Sequence, residues 1–186
     1  MTAGIGHNSG RLIEPGVTWR KHVWTQARKE LLPKLPIEVV RRRVARAKEL
    51  GLPYRTYAGL RASNGHDLIG FLFSSNALRV FRSGQELPVD RRVHLERLVN
   101  CARVAMVHSA VHVADCGPPI DHGFEAPTLT QSWSDAGAQV RLALSSSVGP
   151  ADRVVMVSET GLEREWAEAA RMAGVLSGDT VFSGRV

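Results

Sequence analysis

The sequence predicts an α/β protein: a basic three-helix N-terminal region followed by a small, mostly parallel α/β sheet domain. Three observations lead there. "LIGFLFS", "RVAMVHS" and "RVVMVSE" are short, near-continuous apolar runs, which suit strands covered on both faces of a parallel sheet. Stretches with helical spacing separate these runs, and strand–helix alternation is the pattern of α/β units. Charge is uneven as well: residues 1–65 hold 13 Lys/Arg against 4 Asp/Glu, a balance of +9, while residues 66–186 hold 11 against 14, a balance of −3.

The elements follow in order. "MTAGIGHNSGRLIEPG" is polar and rich in glycine, so residues 1–17 are expected to form a flexible head in which His7 is a solvated side chain. Thr18 is a suitable N-cap for "WRKHVWTQARKELL", where Trp19, Val23, Ala27 and Leu31 recur at helical spacing. "PKLP" ends that helix, because proline lacks an N–H and disfavours helix in the residue before it. Pro36 then sits in the first turn of a second helix, "IEVVRRRVARAKEL", with Ile37, Val40, Val44 and Ala47 as its apolar stripe and Gly51 as its stop. A third helix is expected from about residue 53 to residue 63, so the basic helical region spans 18–66 and the α/β domain 67–186. Within the latter, "VDRRVHLERLVN" reads as a helix capped by Asp90, and "TQSWSDAGAQVRLALSSS" as another. In "TGLEREWAEAARMAG", Thr160 and Glu163 form a T-x-x-E capping box, Gly174 marks the end, and Trp166 and Met172 are expected in the core. "DTVFSG" is expected to add a last short strand, and "SSNALRVF" stays open between a return strand and the first turns of a helix.

Composition narrows the function classes. At 44% hydrophobic and 23% charged residues the chain is globular rather than disordered, and no apolar run approaches the roughly 20 residues that span a bilayer. Residues 1–11 contain no apolar signal-peptide core, and the two cysteines, Cys101 and Cys116, are too few for a disulfide scaffold. The expectation is a cytoplasmic protein without membrane association.

The basic region resembles the generic helix-turn-helix motif over residues 19–63. Ala47, Gly51, Tyr57 and Leu60 occupy the places of its small residue, its turn glycine and its apolar positions. The resemblance implies that the third helix enters the major groove with Arg55, Thr56 and Arg61 toward bases, while Arg41, Arg42, Arg43 and Arg46 hold phosphates. Departures from the motif are Leu52-Pro53 at the turn, Gly59 inside the reading helix, and Arg46 where an apolar residue is usual. Tyr54 and Tyr57 are expected to face the core. The "GIGHNSG" head is similar to short heads on prophage-borne bacterial proteins, which implies a mobile-element origin and no activity.

A second constellation is "VHSAVHVADCGPPIDHGFE", residues 107–125, which gathers His108, His112, Asp115, Cys116, Asp121, His122 and Glu125, all capable of binding a metal. A strand over "RVAMVHS" sets His108 and His112 about 13 Å apart at ~3.3 Å per residue, whereas the Gly/Pro-rich loop would let Asp121 or His122 fold back toward His108. Parallel sheets also place ligands at the carboxyl ends of their strands. Those ends are Ser74-Ser75-Asn76, His108-Ser109 and Ser158-Glu159-Thr160, where the serines suit a small polar ligand and the carboxylates of Glu159 and Glu163 would repel an anion. The chain has no G-x-G-x-x-G, G-x-x-x-x-G-K-[ST] or G-x-S-x-G motif.

The leading expectation is therefore a nucleic-acid-binding protein, a small regulator with DNA favoured over RNA, whose α/β domain contacts a partner, a ligand or a second copy. The alternatives are a small metal-dependent or hydrolytic α/β enzyme using the His108–His122 cluster, and a non-catalytic adaptor or inhibitor of another protein. No cofactor is predicted; a divalent metal enters only with the enzyme reading.

Overall fold

The computed structural model describes residues 35–183, so the head, His7 and the first expected helix with its Thr18 cap lie outside the described residues. The chain divides into two compact units, Met1–Val40 and Arg41–Val186, and the division falls within helix α1, Ile37–Glu49. Of the first unit only residues 35–40 are described, where Val39 and Val40 donate to the Pro36 carbonyl at 2.9 and 3.1 Å and so open α1.

In the second unit α1 ends as its glycine predicts. Gly51 has φ +61°, its N–H donates to the Lys48 carbonyl, and the Leu52 N–H reaches back to the Ala47 carbonyl at 2.9 Å, a doubly bonded C-terminal cap. Helix α2 follows as Tyr54–Asn64, then strand β1 as Gly70–Ser74. "SSNALRVF" is neither return strand nor helix: a run of turns follows β1, with the Leu78 N–H donating to the Ser74 carbonyl at 3.0 Å.

The remaining elements alternate: α3 Val89–Glu96, β2 Ala102–Val107, the single-turn α4 Val113–Cys116, β3 His122–Glu125, α5 Trp133–Ser147, β4 Val154–Ser158, α6 Gly161–Ala169, β5 Gly174–Ser177 and α7 Gly178–Phe182. Helix α3 starts one residue before Asp90 with Pro88 at its cap, because proline at a helix start forfeits no hydrogen bond. Helix α6 stops at Ala169, and Gly174 opens β5 instead of closing the helix. "DTVFSG" is helical rather than extended, since the Ser177 hydroxyl accepts from the Thr180 N–H at 3.2 Å and caps α7.

All five strands are parallel, in the order β3-β2-β1-β4-β5. The chain winds outward from β1 to β3, returns to lay β4 against the other side of β1, and continues outward to β5. Alternate residues supply two cores, as the pleat demands. Phe71, Phe73, Ala105, Val107, Val155 and Val157 face one way, where Leu95 of α3 and Leu98 just beyond it join Ala47 of α1, Tyr57 of α2, and Leu50 and Leu52 of the turn between them. Leu72, Val104, Met106, Val154 and Met156 face the other way, against Val140 and Leu144 of α5 and Trp166 of α6. Burial on both faces is why these strands appear as continuous apolar runs. Tyr54 lies at the surface, 36% exposed, in contrast to Tyr57 at 1%.

Helices α5 and α6 touch at Gly137, where an added Cβ would stand 2.5 Å from the Ala169 carbonyl oxygen and 2.6 Å from its carbon. Backbone cannot yield as a side-chain tip can, so Gly137→Ala should destabilise the protein by roughly 1–3 kcal/mol. Gly59 sits in α2 with open space around it, so Gly59→Ala should stabilise by about 0.5–1 kcal/mol through helix propensity. Urea unfolding of the two variants checks the pair, which should move in opposite directions.

Candidate functional site

The strand order reverses between β1 and β4, and in doubly wound sheets a crevice opens at the carboxyl ends of the strands at such a point. Three side chains from separate elements meet there. Asn76 follows β1, His108 follows β2, and Glu163 stands in the first turn of α6, just after β4. Glu163 Oε1 accepts from Asn76 Nδ2 at 2.8 Å and lies 2.9 Å from His108 Nε2. Its Oε2 accepts from the backbone N–H groups of Glu159 at 2.8 Å and Thr160 at 3.1 Å. Thr160 Oγ1 in turn accepts from the Glu163 N–H at 3.3 Å, which completes the capping box expected from the sequence.

The Glu163 side chain is wholly buried, while that of His108 is 29% exposed. Burial alone would raise the Glu163 pKa. The hydrogen bonds from His108, the two backbone amides and Asn76 outweigh burial and hold it at about 2, so the group is a carboxylate at neutral pH. An ionised Oε1 only accepts, so His108 Nε2 carries a proton toward it. The 3.0 Å approach of Asn76 Nδ2 to Nε2 is then two donors sharing one acceptor. In its neutral form His108 keeps Nδ1 as a bare acceptor. The indole of Trp166 stands 5.9 Å from the imidazole, centroid to centroid, and the Ser75 hydroxyl accepts from the His108 N–H at 3.3 Å. Ser158, at the end of β4, is buried and its hydroxyl has no hydrogen-bond partner among the described residues.

The other residues of the His/Asp/Cys stretch do not join His108. His112 is exposed ahead of α4, with its N–H on Asp115 Oδ2 at 2.8 Å. Asp115 also accepts from the Gly84 N–H at 3.0 Å, and these backbone bonds lower its pKa. Cys116 is fully buried, and desolvation pushes its thiol up to about 11. Asp121 forms a two-pronged pair with Arg103, at 2.9 and 3.1 Å, while His122 and Glu125 are exposed at the two ends of β3. Among the described residues no three His, Cys, Asp or Glu side chains are grouped to hold a metal ion.

The arginines fall into two groups. Arg46 is bound on every side: Nη1 to Glu49 at 2.6 Å, Nη2 to the carbonyls of Leu68 and Asn100 at 2.9 and 3.1 Å, and Nε 3.4 Å from Asp67. Arg61 pairs with the same Asp67 at 3.3 Å, and Tyr57 donates to it at 2.7 Å. Arg41, Arg42 and Arg55 are exposed, whereas Arg43 and Thr56 are half-buried. No protein-family model, curated protein or solved structure matches the chain.

Asn76 and Glu163 are the site residues that sequence reasoning missed in this role. Glu163 was legible only as a cap, and nothing local announces a contact with a histidine 55 residues away.

Because Glu163 sits below its ordinary value of 4.5 in the folded protein, its stabilisation is complete above that pH and drains away as pH falls toward 2. A gap of this size corresponds to about 3 kcal/mol at ~1.4 kcal/mol per pH unit. Glu163→Gln should lose a large part of that at pH 7 and flatten the fall in stability between pH 5 and 2. Chemical denaturation across that range measures both effects.

Proposed function

We propose that the carboxyl edge of the sheet is the active site of a small hydrolytic enzyme in which His108 accepts the proton of an attacking water. The observation that supports this reading is the buried, ionised Glu163 carboxylate 2.9 Å from His108 Nε2. An imidazole held through one nitrogen by a carboxylate has a fixed tautomer and ring plane, and its conjugate acid is stabilised as the proton arrives. Here Nε2 is the held nitrogen and Nδ1 the reacting one. The His108 side chain is 29% exposed, and in this reading water meets it at Nδ1 while the buried carboxylate stays out of the reaction. Asn76 fixes Glu163 Oε1 from the β1 side, so the pair is oriented from two strands. The substrate class is a small polar compound with an electrophilic carbonyl or phosphoryl centre.

General-base catalysis contributes typically 10²–10⁴-fold, so on a panel of nitrophenyl carboxylate and phosphate esters His108→Ala should lower kcat by at least about a hundredfold. Turnover equal in the wild type and the folded variant, or none on any ester, would count against the reading.

A second reading keeps the helical face as a nucleic-acid contact. Its support is that Arg42 and Arg55 are exposed and pair with no carboxylate among the described residues. In this reading they and Arg43 contact phosphates, whereas Arg46 and Arg61 hold the fold. Duplex DNA affinity should fall steeply with salt, and removal of each phosphate contact should lower the salt slope by about one. Affinity indifferent to salt and to a combined Arg42→Ala, Arg43→Ala, Arg55→Ala variant would refute it.

A further inference from the structure

A different surface, where α5 lies against α6, exposes a large aromatic side chain. Trp133 opens α5 with 60% of its surface in water, although large aromatic side chains are normally mostly covered. Together with Arg141 of the same helix, and with Ala169 and Arg171 at the end of α6, it lines a cavity of about 380 Å³. Gly137, one turn from each of Trp133 and Arg141 along α5, lets the α6 backbone come against α5 at Ala169, which also lines the cavity.

The two cations are available to a ligand. Arg141 Nη1 donates to the Ala169 carbonyl at 2.6 Å, which fixes the guanidinium at the cavity wall and uses only one of its five N–H donors. Arg171 follows at φ +55°, a left-handed conformation uncommon for a residue with a side chain, and its N–H donates to the Glu168 carbonyl at 3.0 Å. Neither guanidinium pairs with a carboxylate among the described residues, although Asp115, Asp121 and Asp67 elsewhere are all engaged. An exposed indole beside two unneutralised guanidinium groups matches a flat ring that carries an anion. The ring stacks on tryptophan and the anion takes the fork of N–H donors.

We propose that the groove between α5 and α6 binds a nucleobase bearing phosphate, with the base on Trp133 and the phosphate on Arg141 and Arg171. Two sources share this chemistry, a free nucleotide and a single-stranded nucleic acid. The site is separate from the His108 centre and does not depend on it.

Calorimetric titration of the full chain with AMP, adenosine, inorganic phosphate and a short single-stranded oligonucleotide tests the proposal. AMP or the oligonucleotide should bind more tightly than adenosine or phosphate alone, and Trp133→Ala and Arg171→Ala should each weaken that binding about tenfold. Both residues are at the surface, so these variants should keep the wild-type circular dichroism. Tighter binding of the oligonucleotide than of AMP identifies a strand as the ligand; AMP alone identifies the free nucleotide. No binding of either, binding of phosphate as tight as that of AMP, or binding lost in an Arg42→Ala, Arg43→Ala variant and retained in Trp133→Ala would overturn it.

Discussion

One buried carboxylate organises the carboxyl edge of this protein's sheet. Glu163 has no access to water, and a charge in that position persists only where donors replace its hydration. Four do so: two backbone amides at the start of α6, the Asn76 amide and the His108 ring. Each comes from a segment that follows a different strand or opens a helix, so a single oxygen pair ties the ends of β1, β2 and β4 together. The strand order makes this possible, because only at the reversal between β1 and β4 do the two halves of the winding diverge and leave room for side chains.

Positive charge serves the fold more than its density near the N-terminus implies. Arg46 and Arg61 converge on Asp67 with Tyr57 and Glu49, a network that joins α1 and α2 to the segment entering β1. Within Arg41–Val186 the balance is 18 Lys/Arg against 15 Asp/Glu, only +3, so the +9 over residues 1–65 is not the property of one compact unit. The same principle applies at Arg91, a buried guanidinium 4.1 Å above the Phe182 ring, whose Nε lacks a hydrogen-bond partner among the described residues. Counting arginines along a chain does not distinguish those aimed at solvent from those spent on carbonyls, carboxylates and rings.

The sheet was legible where physics acts locally. β1, β2 and β4 are central strands, covered on both faces, and their apolar runs gave them away. β3 and β5 are four-residue edge strands with half-exposed side chains, so "HGFE" and "GVLS" carry no such run. The capping box of Thr160 and Glu163 was equally plain, being a three-residue pattern with a local cause. The site was not, because the meeting of Asn76, His108 and Glu163 depends on strand order and register. The density of His, Asp and Cys over residues 107–125 pointed instead to a cluster whose members the fold sends to separate places: the sheet edge, the α4 cap and the start of β3.

The central claim is that Glu163 holds a proton on His108 Nε2 and leaves Nδ1 as the reacting nitrogen. Long-range nitrogen–proton correlation spectra of histidine-labelled protein report which ring nitrogen is protonated. The account predicts a protonated Nε2 for His108 at neutral pH, with its signal displaced when Glu163 is replaced by glutamine. A His108 ring protonated at Nδ1 with a bare Nε2, or one indifferent to that replacement, would contradict it.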